Sequence, residues 1–96
     1  MRVRFTRRAL ADVIAIGEFI SARNAAAGAA IETAIRKAAT LIGSNPKIGV
    51  SRSKLGARAL GVPRHPYTIY YRIGPDAIDI LHIRDDRRRP LEPGDV

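Results

Sequence analysis

The chain has 96 residues, 46% of them hydrophobic, with 17 basic against nine acidic side chains and a formal net charge of +8 at pH 7. That length and hydrophobic content fit one domain with a real core, excluding a second domain and wholesale disorder. Without cysteine there is no disulfide scaffold or thiolate zinc site, and without an apolar run near 18 residues there is no membrane span.

Arg2 to Phe5 alternates Arg-Val-Arg-Phe, the period of a half-buried strand with Val3 and Phe5 inward. Thr6 stands where a helix N-cap belongs. Beyond it Leu10, Val13, Ile14, Gly17 and Ile20 share one face of a helix expected over about 7–22. Asn24 is a second N-cap, and Ile31, Ala34, Ile35, Ala38, Leu41 and Ile42 form the strongest periodic stripe of the chain. Gly43 to Pro46 stop that helix. The short link between the two helices predicts an antiparallel hairpin. Gly17, Ala26, Ala27, Gly28 and Ala30 either let the backbones approach closely or simply express helix propensity.

Lys47 to Lys54 reads as a basic loop. Strand signals follow at 58–62, at 67–73 and, after the Gly74-Pro75-Asp76 turn, at 78–83. Residues 85–96 read as a surface tail. The order β-α-α-β-β-β predicts a single α+β domain over 1–96, with a helical hairpin packed on one face of an antiparallel sheet. The first strand joins that sheet at its edge or its centre; periodicity does not choose.

The charge excess is local. Residues 1–8 carry four arginines and no acid, and residues 47–72 carry Lys47, Arg52, Lys54, Arg58, Arg64 and Arg72 with no acid. Such a field attracts acidic partners, nucleic acid or protein. With no leader or membrane segment, a cytoplasmic location is expected.

His65 and His82 are the only histidines and have no acid at ligand spacing, so no metal is expected, and no cofactor-binding motif is present. No nucleophile turn is recognisable. Metal-free RNA cleavage would need an acid, a base and cations around the phosphate. His65, Tyr67, Tyr70, Tyr71 and His82 could serve, or the tyrosines could pack in the sheet with their hydroxyls at its rim.

Arg58-Ala59-Leu60, the run His65-Pro66-Tyr67-Thr68-Ile69-Tyr70-Tyr71-Arg72-Ile73, and Ile78 to Arg84 followed by Arg87-Arg88-Arg89-Pro90 together resemble the RelE/ParE toxins. Thr6 to Asp12 is similar to the opening of that family's first helix, and Leu41 to Gly49 to its helix exit. The resemblance implies the toxin half of a type II toxin–antitoxin pair. RelE-like members cleave mRNA on the ribosome with cations of the sheet and a late arginine. Here Thr68, Ala59 and Gly61 occupy the positions of those sheet cations, which favours the ParE-like branch, whose members inhibit DNA gyrase without cleaving.

Target contact is then expected from Arg52, Lys54, Arg58, Arg64, Arg87, Arg88 and Arg89. An acidic antitoxin is expected on Arg36, Lys37, Ile31 and Ile35, forming a hetero-oligomer. Two alternatives stay open. One is a ribosome-dependent endoribonuclease using Arg72, Arg88 and Tyr71; the other is a diverged member without toxicity.

Overall fold

A computed structural model describes residues 1–96. Strand β1 spans Arg2–Phe5, helix α1 Arg7–Ser21, helix α2 Ala25–Ser44, and strands β2 to β5 span Val50–Arg52, Ala57–Gly61, Tyr67–Ile73 and Ala77–Asp85. Single 3-10 turns lie at Ser53–Leu55 and Pro93–Asp95. The five strands form one sheet in the order β1-β5-β4-β3-β2, and the helical hairpin covers one of its faces. No helix is long and apolar enough to cross a membrane.

Both helix starts follow the side chains that can satisfy their free amides. Thr6 Oγ1 accepts from Ala9 N at 3.2 Å, and Asn24 Oδ1 accepts from Ala27 N at 3.0 Å. In α2 the stripe Ile31, Ile35, Ala38, Ile42 is buried as its spacing predicts, but Leu41 is 46% exposed. In α1 the buried line is Ala9, Val13 and Gly17, with Ile16 and Ile20 partly covered. Leu10 and Ile14, expected inside, are about half exposed. The small Ala9 and Gly17 let α1 settle on the sheet and on α2, which turns the larger Leu10 and Ile14 outward.

The hairpin comes close at two glycines. A Cβ on Gly28 would lie 1.8 Å from Ser21 Oγ and 3.0 Å from Gly17 O, and one on Gly17 would lie 2.3 Å from Glu32 Oε1. Close approach is thus the reason for Gly28, whose Cβ would meet the backbone of α1, whereas at Gly17 a Cβ would meet only the movable side chain of Glu32. Ala26, Ala27 and Ala30 are exposed and do not contribute to the close approach.

The sheet departs from expectation in two places. It is mixed, because β1 takes the edge and pairs in parallel with β5, Val3 opposite Ile78 and Phe5 opposite Ile80. Residue alternation specifies which side faces inward but carries no strand direction. The expected loop at 47–54 contains β2, which pairs antiparallel with β3. All three β2 residues are exposed, so no apolar alternation marks them.

On the helix-covered face Ile69, Tyr71, Ile78, Ile80 and Ile83 meet Val13, Ile31, Ile35 and Ile42. The opposite face shows Thr68 beside Arg84 and Tyr70 beside His82. An irregularity between Tyr70 and Tyr71 resets the register so that Tyr71 pairs with Ile80. Residues 86–96 stay at the surface but are not free. Asp86 N donates to Pro66 O, Arg8 donates to Asp95 O, and the two 3-10 turns touch.

Candidate functional site

The returning C-terminal segment turns the open sheet face into a hollow of about 260 Å³. In it Arg52, Arg84, Arg88 and Arg89 outnumber Asp85 and Asp86, and Thr68 and Tyr70 complete the lining, so that it is basic on balance. Strand alternation explains why these residues meet: Thr68 and Tyr70 point away from the helices, and Arg84 stands opposite Thr68. Arg84 is 6% exposed and donates through Nη2 to Arg89 O at 3.0 Å, so it anchors the segment. Its place two residues after His82 puts it on that face, but no local pattern in the sequence marks it as an anchor.

The seven cations expected at a target surface do not form one patch. Arg52 and Arg88 line the hollow, Lys54 is exposed on the 3-10 turn that follows β2, and none of the three has an ion-pair partner. Arg87 is held by Asp85 at 2.7 Å and Arg89 by Asp95 at 2.9 Å. The side-chain hydrogen bond from Arg87, with its backbone amide, lowers the Asp85 carboxyl from 3.8 to about 2. The Arg89 hydrogen bond, with the Glu92 amide, does the same to Asp95. Arg58 lies on the other side of the sheet and donates to Gly49 O at 2.8 Å, holding the loop before β2. Arg64 lies in the β3–β4 turn, away from the hollow.

The three residues named for cleavage do not converge. Tyr71 is fully buried, with its hydroxyl donating to Pro46 O at 2.6 Å and accepting from Gly49 N at 2.8 Å. A hydroxyl so committed and shielded is not available to a phosphodiester, which corrects that expectation. Arg72 lines a separate depression beside the first 3-10 turn, four residues along β4 from Thr68, while Arg88 lies at the Thr68 end.

A second polar cluster closes the free half of the β5 edge. Strand β1 covers β5 only as far as Ile80, and α1 takes over from there. Thr6 N donates to Ile80 O, and Asp12 Oδ2 accepts from Ile83 N at 3.0 Å. The same carboxylate accepts from His82 Nδ1 at 2.7 Å, which leaves Nε2 facing Arg8 Nη2 at 3.4 Å. His82 is 3% exposed and stacks on Tyr70. Both side chains therefore maintain the fold. No group of three or more His, Cys, Asp or Glu is close enough to hold a metal ion.

Two grooves flank α2. One, of about 700 Å³, runs between α2 and the β3 end, with Ala29, Ala30 and Leu41 on one wall and Leu60 and Pro63 on the other. Lys37 and Arg64 stand at its rim. His65 N donates to Val62 O, and between them Pro63 is followed by Arg64 at φ 68°. That is a type II turn with arginine where glycine is favoured, a cost of about 1 kcal/mol. The other groove, about 800 Å³, lies between α2 and β1 and is lined by Val3, Phe5, Arg36 and Thr40 among others.

Arg36 and Lys37, expected together, thus serve opposite flanks of α2. Ile31 and Ile35 are 0% exposed and belong to the core, not to a contact surface. The stripe that does face outward, Ala26, Ala29, Ala30, Thr33, Lys37 and Leu41, has helical spacing too. It was hidden because α2 is apolar on nearly every side.

A family model described as the ParE toxin of type II toxin–antitoxin systems, parDE, matches residues 3–90. Among solved structures the chain is similar to one described as the chromosomal ParDE TA system from P. aeruginosa. The TM-score is 0.77 at 25% sequence identity, covering 88% of this chain and 95% of that one. No curated protein matches the chain.

Proposed function

The chain belongs to the ParE toxin family of type II toxin–antitoxin systems, and on that premise we propose that it arrests growth by binding DNA gyrase and is silenced by an acidic antitoxin. The observation that carries the antitoxin half is the groove between α2 and β3. Its apolar walls have no partner within the chain, and Lys37 and Arg64 stand at the rim as free cations. An amphipathic segment with acids flanking an apolar stripe fits those requirements, and the charge of +8 speeds its arrival.

The gyrase half rests on family membership, on the basic hollow around Arg52 and Arg88, and on the sheltered state of Tyr71. Action by binding rather than by cutting is the reading these favour. The chain's place in the cytoplasm follows from that reading, since gyrase acts there.

The test is a supercoiling assay with purified gyrase, run beside a ribosome-bound mRNA cleavage assay. Inhibition of supercoiling at stoichiometric toxin, relieved by one equivalent of antitoxin, is expected. Cleaved mRNA with supercoiling untouched overturns the proposal in favour of the nuclease, and inactivity in both assays overturns toxicity itself.

A further inference from the structure

The outward face of α1 has an arrangement that neither the fold nor the toxin reading explains. Arg7, Leu10, Ala11, Ile14, Ala15 and Glu18 are all exposed, with Leu10 at 46% and Ile14 at 49%. On a helix they form two adjacent ridges at four-residue spacing. One ridge, Leu10-Ile14-Glu18, is bulky; the other, Arg7-Ala11-Ala15, is small beyond its arginine. The charges on this face are also of the wrong sign for the helix itself, although Arg23, just past its carboxyl end, donates to Phe19 O at 3.0 Å. No acid lies in the first turn, where Arg7 and Arg8 stand, and no base lies in the last turn, with Glu18 close by. Each opposes the helix dipole, and neither Arg7 nor Glu18 has an ion-pair partner in the chain.

We propose that this face is a self-association surface on which α1 packs antiparallel against α1 of a second copy of the chain, going beyond the toxin–antitoxin pairing. A two-fold axis passing between residues 12 and 13 sets the bulky ridge of each copy against the small ridge of the other. Leu10 meets Ala15 of the second copy, Ile14 meets Ala11, and Glu18 meets Arg7. The two-fold makes every contact occur twice, as an isologous dimer requires. The same geometry brings a foreign Glu18 to the amino end of each helix and a foreign Arg7 toward its carboxyl end. The charges that oppose the dipole alone are thereby compensated in the pair. Arg7 and Glu18 are separated by roughly 16 Å along the axis, so the register is fixed at both ends. One 15-residue helix per copy makes a small interface, and a dissociation constant of about 10–100 µM is expected.

Sedimentation equilibrium of the full chain between about 5 and 500 µM tests this directly. A monomer–dimer equilibrium weakened by salt is expected, because the end pairs are exposed. Arg7→Glu and Glu18→Arg should each weaken association about tenfold, since each turns two attractions into repulsions. The double variant should restore it. Arg7→Glu should at the same time raise Tm at low concentration, because an acid suits the helix start, which separates lost association from lost folding. A chain that stays monomeric throughout, single variants that associate like the wild type, or a double variant that fails to recover would each overturn the proposal. So would burial of Leu10 and Ile14 by the antitoxin in place of a second copy.

Discussion

The hydroxyl of Tyr71 donates to the carbonyl of Pro46 at 2.6 Å, tying the middle of the sheet to the chain just past the end of α2. Because the same oxygen accepts from the Gly49 amide at 2.8 Å, one atom organises the approach to β2. A Cβ on Gly49 would lie 2.7 Å from that hydroxyl, so the loop backbone is pressed against the ring.

Tyr71→Phe keeps the ring and removes both bonds, leaving the Gly49 amide buried without an acceptor. A loss of about 1–3 kcal/mol is expected, a fall in Tm of several degrees for a domain this size. Urea unfolding measures it. Toxicity per folded molecule should not change; a specific loss of activity at full stability would return Tyr71 to the functional site.

Asp12 offers a sharper comparison. Asp12→Ala strands the Ile83 amide and His82 Nδ1 together and should cost about 2–3 kcal/mol. Asp12→Asn retains an oxygen for Ile83 and should lose roughly half of that. Equal losses for the two variants would show that the edge amide does not need its acceptor.

How far these relationships are legible in the sequence depends on what each is made of. Thr6 and Asn24 act on amides three residues away, and the α2 stripe repeats every turn, so both can be read directly. Asp12 and His82 are 70 positions apart and meet only because β1 stops at Phe5 and leaves the β5 edge for α1 to cover. No local pattern encodes that. Strand β2 is likewise silent, since its pairing with β3 is a backbone matter and its side chains all face water. The groove beside α2 was missed for the reverse reason. Ile31 and Ile35 have the clearer periodicity, and periodicity reports burial in the chain's own core before it reports a surface for a partner.

The carboxyls of Asp85 and Asp95 are lowered to about 2 by their arginine partners. Because the folded state prefers both ionised, their contribution is complete above the ordinary value of 3.8 and disappears as pH falls from about 4 through 2. Protection of the residue 86–96 amides, measured against the intrinsic exchange rate at each pH, should therefore fall across that window, with the effect reduced by salt. Arg89→Ala should show fast exchange at neutral pH already. Loosening of the wild-type segment between pH 7 and 5 would contradict the assignment.

At the groove, Ala30→Glu places bulk and negative charge on the wall expected to meet the antitoxin. Affinity should fall about 10–100-fold, measured by calorimetry with the purified antitoxin. Arg64→Gly should relieve the left-handed turn and add about 1 kcal/mol of stability while weakening the complex. A variant both more stable and equally tight would show that Arg64 has no part in binding.

The pairing of β1 with β5 has a consequence in time. Val3 and Phe5 are made some 75 residues before their neighbours Ile78 and Ile80. At roughly 5–20 residues per second the first strand waits about 4–15 s for its partner. Throughout that interval the sheet cannot close, and α2 has only part of the surface it will cover. A toxin built this way acquires its sheet in one step, when β5 emerges, and an antitoxin already present meets a finished surface.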